Sequence, residues 1–141
     1  MESRPADELI ILAVQRLLYS PEQSSSPSQN TLDLVIAAAI LESAMQYSPY
    51  NPHLKICAMH VLGDLEAPNM CWELYKGLSI KHIQHESCSY LILPILRSGG
   101  MFHEAVSVCR EILGLHVSSA RDVFDFIGRA MEAGKIGRAH V

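Results

Sequence analysis

The sequence predicts an all-α fold, an α-solenoid of about seven helices stacked as antiparallel hairpins. Three observations predict it. Apolar residues recur at spacings of three and four along most of the chain, strand-like alternation is nearly absent, and glycine turns recur at a distance that suits a two-helix repeat. With 141 residues, 49% of them hydrophobic and 18% charged, the chain can bury a real core as one domain.

The first helix is expected over 7–19. Pro5 precedes it, Asp7 and Glu8 occupy its first turn, and Arg16 lies near its end, all of which suit the helix dipole. Residues 20–29 are rich in Ser and Pro and carry no apolar side chain, so they read as a mobile surface linker. Asn30 can cap a second helix over 31–47. Leu32, Ile36 and Ile40 line one of its faces, and Leu34, Ala38, Leu41 and Met45 line another, which suits a helix sandwiched between neighbours. Ser48-Pro49 ends it, and Asn51-Pro52 starts a third helix with a cap residue followed by Pro at the first helical position. Leu54, Cys57, Ala58, Val61 and Leu62 carry that helix to Gly63, and a fourth runs over 68–78.

The fifth helix begins near 84–86 and runs to Arg97, with a kink or an early stop expected at Pro94. Ser98-Gly99-Gly100 is a break. Phe102, Ala105, Val106, Cys109, Ile112 and Leu113 make the regular stripe of the sixth helix. Ser119, with Asp122 three residues on, resembles a capping box for a seventh helix over 120–133.

Gly63, Gly100 and Gly134 stand 37 and 34 residues apart. A tetratricopeptide unit, two antiparallel helices, repeats at ~34 residues. Gly100-Met101-Phe102-His103-Glu104-Ala105 resembles the glycine turn, aromatic and small alanine that let the second helix of such a unit pack closely. The Trp and second Gly usual in the first helix are missing, so the hairpins are degenerate tetratricopeptide-like repeats. The last helix presents Val123, Phe124, Ile127, Ala130 and Met131 with nothing after it to cover them. The chain alone is therefore expected to be marginally stable or poorly soluble.

The net charge of −4 argues against a nucleic-acid or anionic-membrane surface, since both want a basic excess. The longest uninterrupted apolar run, 34–41, is far short of the ~20 residues that cross a bilayer. Acids rather than bases precede the apolar 9–14 run, which does not suit a signal peptide, so the expected address is the cytoplasm. Cys57, Cys71, Cys88 and Cys109 are widely spread without a CxxC and read as reduced thiols.

Few residues suggest chemistry. His82, His85 and Cys88 are three apart and could partly share a helical face with zinc-type ligands, and Cys57 with His60 is a second pair. Neither group has a completing pair at a recognised spacing, and histidines hydrogen-bonding between helices are the simpler reading. No cysteine has the basic or helix-start surroundings that activate a thiol, and each falls on or beside an apolar stripe. Gly99-Gly100 follows a helix and lacks the Lys-Ser/Thr of a phosphate loop, so it reads as a turn. Trp72, Tyr75 and Leu78 at helical spacing read as core rather than as a peptide-binding patch. Lys76, Lys81 and Arg97 are scattered and read as solvated. The expectation is a chain with no catalytic, cofactor-binding or metal-binding residue, no cofactor, and a role in protein–protein interaction.

Three stretches carry a family resemblance: 7–13, then 48–55 with its Ser-Pro-Tyr-Asn-Pro start, and most specifically 74–86 with Lys81-His82-Ile83-Gln84-His85 between two helices. Together they resemble the auxiliary, non-catalytic subunit of the N-terminal acetyltransferase B complex, also known as the phagocyte signalling-impaired protein family. The resemblance runs from about Pro5 to about Gly134 and covers a middle part of a much longer family member. It implies an α-solenoid that wraps and positions a separate catalytic subunit and meets the ribosome indirectly. It also implies that the complex acetylates nascent chains beginning Met-Asp, Met-Glu, Met-Asn or Met-Gln. A generic tetratricopeptide adaptor with a peptide in its concave groove is the alternative; the mostly apolar first helices, without a Lys/Arg/Asn clamp, favour the scaffold.

Residues 1–135 are read as the helical-repeat fragment. The final Ile136-Gly137-Arg138-Ala139-His140-Val141 is what a widely used sequencing adapter encodes in one frame, with a stop as its next triplet. This tail is expected to be non-native, and the codons of the source transcript test that.

Overall fold

The computed structural model describes residues 4–19, 26–78, 80 and 82–134, without the side chains of 82–86. Six helices and no strand are found among them: α1 (Pro5–Leu18), α2 (Pro27–Tyr47), α3 (Pro52–Asp64), α4 (Pro68–Lys76), α5 (His82–Ser98) and α6 (Phe102–Glu132). The all-α solenoid is as expected. The count differs from seven because the last two expected helices are one continuous helix of 31 residues. The adapter-like tail and most of the expected linker lie outside the described residues.

Four of the six helices, α1 to α4, begin with Pro in the first turn, where its missing N–H costs no hydrogen bond and its fixed φ is already helical. Asn51 caps α3 by accepting the His53 N–H at 2.9 Å. The same device starts α2 four residues earlier than expected: Ser26, not Asn30, is its cap, and Pro27 is its first residue. Residues 27–29 are therefore helix rather than linker. Pro94 does not stop α5, which runs on to Ser98.

The helices pack as three antiparallel hairpins, α1/α2, α3/α4 and α5/α6, with the odd helices α1, α3 and α5 side by side. Val14, Ala37, Leu41, Ala44, Leu54, Ala58 and Val61 form a first buried cluster where α1, α2 and α3 meet. Met59, Leu62, Cys71, Tyr75, Ile92, Leu96 and Val108 form a second, from α3 to α6. Two glycines permit the close approaches. A Cβ on Gly63 would lie 3.0 Å from Ile95 Cδ1, a tight contact that the Ile95 side chain would have to yield to, so glycine eases the approach of α3 and α5 there. A Cβ on Gly99 would lie 2.5 Å from Pro68 Cγ, between the end of α5 and the start of α4.

The repeat period sharpens in the structure. Gly63 lies within α3; the left-handed residue of the α3–α4 turn is Glu66, φ 57°. Left-handed backbone recurs at Gly100 (φ 73°) and Gly134 (φ 63°), each 34 residues after the last. That is the tetratricopeptide period. It places α3, the second part of α5 and the second part of α6 at equivalent positions.

Candidate interaction surfaces

An anchor sets the angle of the first repeat. Asp7, on the first turn of α1, is buried and accepts hydrogen bonds from Asn51 Nδ2 at 2.9 Å and Ser48 Oγ at 3.0 Å. Asn51 thus holds the start of α3 and the start of α1 together. The Asn51 bond, followed by those from Ser48 and the Arg4 backbone, outweighs burial and holds the Asp7 carboxyl below its usual range.

The anchored odd helices leave a groove between α1 and α3 of about 670 Å³. Ile11, Leu12 and Leu18 from α1 and Ile56 and Cys57 from α3 make its apolar walls, while Glu8, His53, His60 and Asp64 add polar groups. A smaller hollow of about 310 Å³ follows between α3 and α5, with Tyr90, Pro94 and Ile95 on its α5 side. His60 and Asp64 line both, so the odd helices present one continuous face. Sequence reading found Cys57 and His60 but not this face. The signal was the spacing of His53, Ile56, Cys57, His60 and Asp64 at threes and fours, a second stripe on a helix whose buried stripe was easier to see.

The second surface is on α6. The helix packs on α5 alone among the described elements, through Ala105, Val108 and Ile112. Most of the residues past Ile112 are exposed, including Phe124 at 73% and Met131 at 65%. Of the residues expected to lie uncovered on a seventh helix, Val123, Phe124, Ile127 and Met131 are exposed and Ala130 is half-buried, all on this one helix.

Of the residues singled out for chemistry, Cys57 lies in the α1–α3 groove, where burial raises its thiol pKa. Cys71 is fully buried, donates to the Met59 carbonyl at 3.5 Å, and burial pushes its pKa up to about 11. Cys88 is half-buried against the second core, Cys109 is exposed, and all four thiols are unpaired by disulfides. The side chains of His82 and His85 lie outside the described residues, as does Lys81. Among the described residues no group of three or more His, Cys, Asp or Glu could hold a metal ion. Trp72 stacks on Tyr75 with ring centroids 5.9 Å apart and packs against the second core, as a core aromatic does. Lys76 pairs with Glu73 at 2.7 Å, and Arg97 is exposed at the end of α5. Gly99-Gly100 is a turn, with Met101 N–H donating to Leu96 O at 2.9 Å. No described helix is long and apolar enough to cross a membrane.

No solved structure matches the chain. The N-alpha-acetyltransferase 25, NatB auxiliary subunit of Homo sapiens is 30% identical over 98 residues, which is 70% of this chain and 10% of the relative. The proteins of the same name from Rattus norvegicus and Mus musculus match to the same extent. The chain thus spans about a tenth of the length of these relatives. Residues 1–136 match the family described as the N-acetyltransferase B complex (NatB) non catalytic subunit. With nearly its whole length matched, the chain belongs to the family of NatB non-catalytic subunits.

Proposed function

We propose that this chain is a segment of a scaffold that positions the catalytic subunit of the N-terminal acetyltransferase B complex for co-translational acetylation of nascent chains at the ribosome. The family match over 1–136 carries this reading. The partner supplies acetyl transfer and its cofactor; this chain supplies shape. It acts in the cytoplasm, meets the ribosome only through the assembled complex, and contacts neither membrane nor nucleic acid itself. The continuous face of α1, α3 and α5 supports the reading, because apolar walls with a few polar groups suit a protein surface.

The test is affinity purification of the full-length protein from its own cells. Co-purification of an acetyltransferase active on peptides beginning Met-Asp or Met-Glu is expected. Its absence, or acetyl-CoA binding by this chain alone, overturns the proposal. The α1–α3 groove also favours a second reading, a tetratricopeptide-type adaptor for a short peptide. Under that reading, Ile56→Asp in the full-length protein abolishes capture of a peptide while leaving the acetyltransferase bound.

A further inference from the structure

The face made by α1, α3 and α5 holds three hollows in a row, and Asp64 lines all of them. The α1–α3 groove is followed by the α3–α5 hollow, and that one by a hollow of about 410 Å³ against Glu66, Pro68 and Gly99. Both walls of the α1–α3 groove belong to consecutive hairpins of this chain. Further repeats stack on the ends of a solenoid and leave such a face open, so its exposure is not that of an uncovered end.

The charge along this face has one sign. Glu8, Asp64 and Glu66 line the hollows and are exposed, and no Lys or Arg lines any of the three. Arg16 on α1 and Arg97 on α5 lie outside the linings. Among the described residues no ion pair engages the three acids, and neither His53 nor His60, which lie among them, is paired with them. Apolar walls sharpen a field of one sign, and Ile11, Leu12, Leu18 and Ile56 supply such walls between Glu8 and Asp64.

The two acids mark opposite ends of the groove. The Asp7–Asn51 bond sets the starts of α1 and α3 side by side, which puts Glu8 at that end, and Asp64 is the last residue of α3. From the first turn of α3 to Asp64 is roughly 16 Å at 1.5 Å per residue. The adjoining 20–29 linker is no match for this groove, since its one charge is Glu22 and it carries no apolar side chain. Polyanions such as nucleic acid are repelled by the same field.

We infer that the α1–α3–α5 face docks a segment of the acetyltransferase subunit that sets apolar side chains in the groove and a Lys or Arg against Asp64, an inference that rests on the scaffold function proposed above. Complementary charge fixes the register of such a segment and speeds its capture, while the apolar walls hold it.

The experiment uses the full-length protein assembled with the acetyltransferase subunit. A photoreactive benzoylphenylalanine replacing Ile56 reports whatever lies in the groove, whatever its charge. An adduct on the acetyltransferase subunit, in a segment bearing Lys or Arg, is expected. An adduct on a segment without either, on another part of this chain, on a second copy or on a third protein overturns the inference, as does no adduct. Joint Glu8→Lys and Asp64→Lys substitution is expected to weaken assembly by about tenfold at low salt, with the gap closing as salt screens the charges. The control is Glu42→Lys, exposed on α2 and outside the three hollows, which should assemble as the original does. A doubly substituted protein that assembles as tightly as the original, or whose loss is the same at high salt, refutes the charge pairing. If no acetyltransferase co-purifies at all, the scaffold function itself fails; if it co-purifies and the adduct lies elsewhere, only the docking face is wrong.

Discussion

Replacing Leu41 by Ala tests the first core most directly. Leu41 is 0% exposed on α2 and is buried in the cluster of Val14 from α1 and Leu54, Ala58 and Val61 from α3. Its other buried neighbours on α2 are Ala37 and Ala44, which are too small to swing into the space. The substitution removes three carbons, about 2.4 kcal/mol at ~0.8 per buried carbon. The cavity left behind adds to that, for a total of about 3–5 kcal/mol. A repeat chain distributes its stability over neighbour interfaces, so a loss of this size at the α1–α2–α3 junction should loosen the first hairpin before the second. The control is Leu9→Ala, on α1 and 67% exposed, which should change stability by no more than about 0.5 kcal/mol. Urea unfolding followed by far-ultraviolet circular dichroism gives both values, with Leu41→Met as an intermediate loss should the Ala variant not fold. If Leu41→Ala costs less than about 1 kcal/mol, or no more than Leu9→Ala, the α1–α2–α3 core described here is wrong.

Four further outcomes follow from other sites. The folded state holds the Asp7 carboxyl below its usual range, so it binds the proton less readily than the unfolded chain does. Asp7 therefore stabilises the fold above a pH of about 3.9 and loses that effect as pH falls through its lowered folded value; Asp7→Asn should flatten this part of an acid titration of the urea midpoint. The hydroxyl of Tyr75 is buried without a hydrogen-bond partner among the described residues, and burial raises its pKa, so Tyr75→Phe should leave the melting temperature unchanged or higher. Gly99→Ala should destabilise the chain by roughly 1–3 kcal/mol, since its Cβ would fall 2.5 Å from Pro68, and the urea midpoint should drop accordingly. Buried and with its pKa pushed up to about 11, the Cys71 thiol should resist a thiol reagent at neutral pH until denaturant is added, as timed labelling and peptide mapping would show.

Much of the architecture was legible because its signals are local. Pro5, Pro52 and Pro68 with their neighbours mark helix starts through backbone geometry alone, and each marks a real one. Ser26-Pro27 carried the same signal and went unseen because it sits in a run of serines that reads equally well as loop. Pro94 reads locally as a stop, but it is an exposed residue of a helix otherwise held by Leu91, Ile92, Ile95 and Leu96, and that packing outweighs one lost hydrogen bond. The second stripe of α3, through His53, Ile56, His60 and Asp64, was legible, but the face it shares with α1 and α5 was not, because no residue spacing tells which helices lie side by side.

The sequence by itself determined that this protein is helical, where most helices start, which stripes are apolar, and the family to which it belongs, since all of these rest on residue order and near-neighbour geometry. Only the tertiary structure decided that Gly63 serves α3–α5 approach while Glu66 makes the turn. It also decided that Asp7 is tied to the α2–α3 turn, and that 102–132 forms one helix. Ser119 and Asp122 can begin a helix only if the chain changes direction there. Without Pro or left-handed backbone at that point, direction is set by whether a neighbour is present to bury the turned segment, and no local pattern records that.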